Sequence, residues 1–374
     1  MTLRATTRPL PDGAELLAGI SPGDFVFKRN GRGIVASGWA ADVSVAEAAD
    51  ALAAIEVDDD VRRRATGPLA VGALPFDGRA GRMRIPQRVL GVDADGAWET
   101  IVTGGAGDHE EPAPPEVPTH LLDRAEWTEA VNAILARIAS GEVEKVVLSR
   151  RVVVQPGSEL DVPSVIRRIA AARPDAWVYA DGGFVGATPE LLVSRDGDRV
   201  LSVPMAGTVA VGEARSLLAT PKLLHEFEVV VLAIATTLGG RCSDLTVGPS
   251  TPMLAGNVAH LGAEVRGRLV DGSVTALDLA MALHPTPAVG GTPLEEALGL
   301  IEKLEPSPRG RYAGPVGWLD AAGDGEFAVA LRCATIRPDG AILYAGCGIV
   351  AGSDPDDEWD ETESKLVAML DVLV

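Results

Sequence analysis

Apolar, β-branched runs of strand length recur along this chain at hairpin spacing, and helix-length segments separate only some of them. The longest is Glu144-Lys-Val-Val-Leu-Ser-Arg-Arg-Val-Val-Val154, which puts Lys145 at the beginning of a strand. Further runs are Gly33–Ser37, Leu69–Phe76, Arg88–Gly91, Ala176–Tyr179, Leu191–Ser194, Val316–Leu319, Phe327–Cys333 and Ala341–Tyr344. Helical spacing is found near Ser44–Ile55 and at Ala125–Ser140, Val162–Ala172, Pro221–Leu238, Thr275–Leu283 and Pro293–Leu304. A doubly wound parallel sheet needs strict alternation of strand and helix, and this order lacks it. The pattern predicts an α+β fold with large antiparallel sheets, and no repeat of fixed period interrupts it.

One change of texture stands out. Gly104 to Thr119 mixes prolines, glycines and acids, can continue neither a helix nor a central strand, and reads as a connector. It divides a strand-rich first part, residues 1–118, from a second region, residues 119–374. With 374 residues, 47% of them hydrophobic, the chain can bury a sizeable core. A net charge of -20 would repel a phosphate backbone or an anionic membrane surface, so nucleic acid is not an expected partner. Three cysteines without CxxC spacing argue against a disulfide framework and a thiolate zinc site, and a reducing cytoplasm is the simplest setting. The first residues lack an apolar leader, and no run approaches the ~20 apolar residues of a membrane helix, so neither export nor a membrane span is expected.

Several carboxylates and one lysine fall where chemistry could use them. A C-terminal helix is expected after the acids of Asp354–Asp357, running from Glu358 to Leu373 with Glu358, Glu361 and Lys365 on one face. That face could equally be a solvated, salt-bridged surface. A second helix opens with Thr220 as N-cap and Pro221 in its first turn, and carries Glu226 into an apolar run. Two carboxylates from separate helices, without a histidine or thiolate cluster, would suit a hard ion such as Mg²⁺, and Glu226 with Glu361 is the pair. Lys145 could be a partly desolvated base or a lysine at a strand edge. Glu190, between Pro189 and an apolar strand, could be raised into the range of an acid by partial burial. The turns expected at Gly290-Gly291 and Gly346-Cys-Gly348 could bring backbone N–H groups to a carboxylate, weak signals in a chain with 42 glycines. No GxGxxG, GxxxxGK[ST] or HExxH pattern is present.

The segments Leu283-His-Pro-Thr-Pro-Ala-Val-Gly-Gly291, Ala330-Leu-Arg-Cys-Ala334, Ala345-Gly-Cys-Gly-Ile349 and Glu358-Trp-Asp-Glu-Thr-Glu-Ser-Lys365 follow one another, with Lys145 and Glu190 upstream. Together they resemble the isochorismate synthases of the chorismate-utilising enzyme family, over about residues 125–374 and weakly at Gly72–Asp77. The resemblance implies large antiparallel sheets packed together with helices outside, and chorismate as the small-molecule partner of a monomer. It implies that Lys145 activates water for addition at C2 while Glu190 protonates the departing C4 hydroxyl. It places Mg²⁺ on Glu226 and Glu361, with Glu358 beside them. For the substrate it implies Arg332, Lys365 and the backbone of Gly346 and Gly348, with His260, Tyr312, and Gly207 and Thr208 of the turn Pro204–Thr208. Lys145 points to water rather than ammonia as the nucleophile. Ala288 stands where salicylate- and anthranilate-forming relatives carry a threonine that goes with pyruvate elimination, and alanine favours stopping at isochorismate. Salicylate synthase, aminodeoxyisochorismate synthase and a non-catalytic chorismate-binding protein are the alternatives. Leu223 and Phe227 depart from the family's pattern on the metal helix, and the pathway served, menaquinone or siderophore, is not written in these residues.

Overall fold

A computed structural model describes residues 2–11, 13–78, 81–105, 120–155 and 159–373. The connector, from residue 106 on, and the boundary expected at 118/119 lie outside the described residues. Among them are seven α-helices: α1 (Ala48–Ala53), α2 (Arg124–Ala139), α3 (Val162–Ala172), α4 (Pro221–Gly239), α5 (Ala276–Leu283), α6 (Leu294–Leu304) and α7 (Pro355–Leu373).

Nineteen strands are linked by pairing, antiparallel throughout except where Arg4–Leu10 meets Glu56–Asp59. Lys145–Val154 lies between Gly340–Val350 on one side and the short strand Gly291–Thr292 on the other. From Gly340–Val350 the pairing continues through Cys333–Arg337, Phe184–Thr188, Trp177–Asp181 and Phe25–Arg29 to Arg32–Ser44 and Arg82–Asp93. A second run leaves Arg82–Asp93 at Leu69–Ala73 and proceeds through Pro315–Asp320, Gly325–Val329, Leu191–Asp196, Arg199–Val203 and Val265–Leu269. Met205–Ala210, Val258–Gly262 and Thr251–Ala255 form a separate three-stranded sheet.

Side chains of the central strands alternate between two cores. Tyr179, Phe184, Ile342 and Tyr344 join Val193, Val316 and Phe327 of the second run in one apolar cluster. Val178, Val185, Leu343 and Ala345, pointing the other way, join Val165, Ile166 and Ile169 of α3 and Leu366 and Met369 of α7 in another. Both faces are covered, so these antiparallel strands read as continuous apolar runs rather than alternating ones. The α+β architecture with large antiparallel sheets is as the sequence predicts.

Several local expectations are corrected. The helix expected over 44–55 is only α1, because Ser44 closes the preceding strand. Thr220 does not cap α4 with its side chain, since its hydroxyl donates to the Ser216 carbonyl, although Pro221 does open the helix. α7 begins three residues before Glu358, with the Asp354 carboxylate accepting from the Asp356 and Asp357 amides. The strand expected over 327–333 breaks in the middle, because Arg332 adopts φ 49°. Gly346 and Gly348 stand within the strand Gly340–Val350, opposite Ser149 and Val147, and not in a turn. Gly207 and Thr208 lie on the strand Met205–Ala210, where the register shifts against Val258–Gly262.

Candidate active site

Lys145 is the first residue of its strand but not an edge residue. Thr292 and Val350 pair with it on the two sides, leaving it 2% exposed. Its Nζ donates to Glu226 Oε1 of α4 at 2.8 Å. The glycine at 348 permits this pair, since an ideal Cβ there would come within 2.6 Å of Glu226 Oε1 and 2.7 Å of Lys145 Cε. Gly346 is likewise crowded, its Cβ position 3.0 Å from the Tyr312 hydroxyl. The two glycines therefore act by omitting side chains, Gly348 beneath the charged pair and Gly346 against the Leu148 carbonyl and the Tyr312 hydroxyl. Gly348→Ala is expected to shift Lys145 and Glu226 by several tenths of an ångström and to lower kcat by on the order of 10²-fold, the cost of a small misplacement in an active site. Steady-state kinetics on the folded variant checks it.

α7 supplies the other side. Lys365 Nζ donates to Glu361 Oε1 at 2.6 Å and to the Gly346 carbonyl at 2.9 Å, so this helix face is internal rather than solvated. Glu358, one turn earlier and buried, meets Lys222 of α4 at 3.3 Å. Burial and the like charge of Glu361 push its carboxyl above the usual range.

Glu190 lies past the end of Phe184–Thr188 and is 4% exposed. Burial raises its carboxyl to about 8, against the opposing charges of Lys145 and Arg332 and a hydrogen bond from the Met205 amide. Arg332 is buried too, its left-handed backbone turning the chain between two strands. Its Nη2 donates to His260 Nε2 at 3.0 Å, while its Nε has no partner and no carboxylate among the described residues lies within ion-pair distance. Arginine can only donate, so Nε2 of His260 accepts and Nδ1 carries the proton, donating to the Gly207 carbonyl at 3.1 Å. Burial, with Arg332 and Lys365 nearby, pushes the imidazole well below its ordinary value and keeps it neutral. Tyr312 is buried and stacked on Tyr344, with centroids 5.4 Å apart and planes at 12°.

Most of these groups line one hollow. Glu190, Gly207, Thr208, Glu226, His260, Ala288, Tyr312, Arg332, Gly346, Gly348, Glu361 and Lys365 all line it. Lys145 stands behind Glu226 and Gly348, and Glu358 behind Glu361. The sequence reading did not single out Arg309, which also lines the hollow, nor its partner Glu305. The available signal was an acid and a base four residues apart at the end of α6, a spacing that usually marks a solvated pair. Cys347 lines the hollow between the two glycines, its thiol kept protonated by burial and by the nearby Glu358 and Glu361 charges.

A buried cation with an unused donor, a carboxyl raised towards neutrality and an internal lysine define an enzyme hollow for a small carboxylate substrate. The chain belongs to the chorismate binding enzymes: the model of that family matches residues 97–374. It is 38% identical over 329 residues to the isochorismate synthase DhbC of Bacillus subtilis, covering 81% of this chain and 80% of that one. To the isochorismate synthase EntC of Escherichia coli it is 37% identical over 325 residues, covering 82% and 81%. The solved structure of MenF, the menaquinone-specific isochorismate synthase from Escherichia coli, superposes with a TM-score of 0.84 at 25% identity, covering 100% of this chain and 95% of that one. These relatives are named as isochorismate synthases. Among the described residues no helix is long and apolar enough to cross a membrane.

Proposed function

We propose that this chain is an isochorismate synthase, interconverting chorismate and isochorismate reversibly. One observation carries the mechanism: Glu190, its carboxyl raised to about 8 by burial, lines the same hollow as Glu226, and Lys145 donates to Glu226 from behind it at 2.8 Å. Lys145 acts as the base for the water that adds at C2, taking its proton. Glu190 gives its proton to the C4 hydroxyl, which leaves as water while the ring double bonds shift. One water enters and one leaves, so the reverse reaction uses the same two groups in exchanged roles.

Both substrate carboxylates need positive partners in a chain of net charge -20. Arg332, with its open donor, and Lys365 supply them, and neutral His260 aims the guanidinium without adding repulsion. Ala288 puts a methyl group in the wall, which supports a reaction that stops at isochorismate.

The donor set fits Mg²⁺. Glu226 and Glu361 line the hollow as oxygen donors, Glu358 is raised by burial and by the like charge of Glu361, and the nearby thiol is protonated. Among the described residues no three such groups gather to hold a metal ion, so Mg²⁺ here would need waters and substrate oxygens to complete its shell. When bound to Glu226 and Glu361, with Glu358 behind, Mg²⁺ would supply positive charge for the ring carboxylate. Incubation of the purified protein with chorismate tests the reading: isochorismate should form, stop on chelation and return with Mg²⁺. Salicylate with pyruvate, or turnover indifferent to chelation, would contradict it.

A further inference from the structure

The strand carrying Lys145 loses its neighbour on one side after Gly290, where the Val147 amide donates to the Gly290 carbonyl at 2.9 Å. Beyond that point two side chains replace the missing strand. Arg309 Nη2 donates to the Val147 carbonyl at 2.8 Å, and Glu305 Oε1 accepts from the Ser149 amide at 2.8 Å. The same guanidinium donates through Nη1 to the Val289 carbonyl at 2.6 Å, next to Ala288, and through Nε and Nη2 to the Glu305 carboxylate at 2.6–3.1 Å. The Tyr312 amide donates to the Arg309 carbonyl at 3.2 Å. Both side chains are almost wholly buried, 2% and 5% exposed, and their charges cancel, so the pair adds little net field to the hollow.

We infer that Arg309 and Glu305 are positioning residues, which fix the strand of Lys145, the turn of Ala288 and the turn of Tyr312 at the separation the reaction requires. The inference rests on the hollow being the isochorismate synthase site. Breaking a buried pair is costly, so a pair used here marks a geometry that apolar packing alone would leave looser. Carbonyls of two segments and one carboxylate are held by a single planar fork, a span that one ammonium cannot reproduce.

Arg309→Lys is the test, because it keeps the charge beside Glu305 while giving up the fork. The expected result is a loss of kcat of about 10²-fold, with KM for chorismate changed less than about threefold, the signature of lost transition-state alignment rather than lost binding. A wild-type kcat, or a loss that tracks the folded fraction alone, would overturn the inference. Should that variant not fold, Glu305→Gln loosens one anchor of the fork and is expected to lower kcat about tenfold at unchanged KM, and wild-type turnover there would overturn it equally. Hydrogen exchange of peptides spanning 145–151 and 286–291 separates this inference from the functional reading. Faster exchange in the variant supports positioning even if the wild type makes no isochorismate, whereas unchanged exchange refutes it.

Discussion

Lys145→Ala is expected to lower kcat by about two to four orders of magnitude, the range spanned by a positioned general base. Chorismate should still bind with nearly its wild-type Kd in a calorimetric titration, because Arg332, Lys365 and Tyr312 line the hollow independently of this strand end. The substitution leaves the part-buried Glu226 without its Lys145 partner, which costs about 1 kcal/mol of stability. The folded fraction is therefore measured alongside turnover. Wild-type rates in the folded variant would remove Lys145 from the chemistry.

Glu190 predicts a pH profile. In the proposed mechanism its acid form donates the proton, and burial raises the carboxyl to about 8, so kcat/KM should be limited on the alkaline side by a group near pH 8 and fall about tenfold per unit above it. Glu190→Gln should lower kcat by about two to four orders of magnitude and abolish that limb. Stability gives a second readout. The unfolded chain ionises this group near 4.5 and the folded chain near 8, so the unfolded state binds fewer protons in between. Wild-type stability therefore declines through that window as pH rises, and the glutamine variant should lack this component. An alkaline limb that survives in Glu190→Gln would assign the titration to another group.

Much of this arrangement was legible in the sequence. The run at 144–154 is a strand because β-branched residues fill it. Its apolar faces lie against two cores, and that same enclosure buries Lys145, which the run itself could not reveal: the covering strand Gly340–Val350 is almost two hundred residues away. Gly346 and Gly348 read locally as a turn because glycine breaks strands more often than it serves them. The reason at Gly348 is a lysine–glutamate pair lying directly above, and at Gly346 the Leu148 carbonyl and the Tyr312 hydroxyl, contacts between distant segments. Arg332 was expected inside a strand because Phe327–Cys333 is apolar around it, and only the left-handed turn that aims it into the hollow splits the run. Glu305 and Arg309 escaped notice for the opposite reason: acid and base beside prolines resemble solvent-facing residues, and their burial depends on the open edge of the Lys145 strand. The three carboxylates at 226, 358 and 361 came from helix spacing and resemblance together, and helix packing brings each of them against a lysine, Lys145, Lys222 and Lys365 respectively.

The most direct test is the fate of the oxygen. The purified protein, given chorismate and Mg²⁺ in ¹⁸O-labelled water, should yield isochorismate carrying one heavy oxygen at the C2 hydroxyl, resolved by chromatography with mass detection. Unlabelled isochorismate, or salicylate as the product, would contradict water addition at C2 by Lys145 and Glu190.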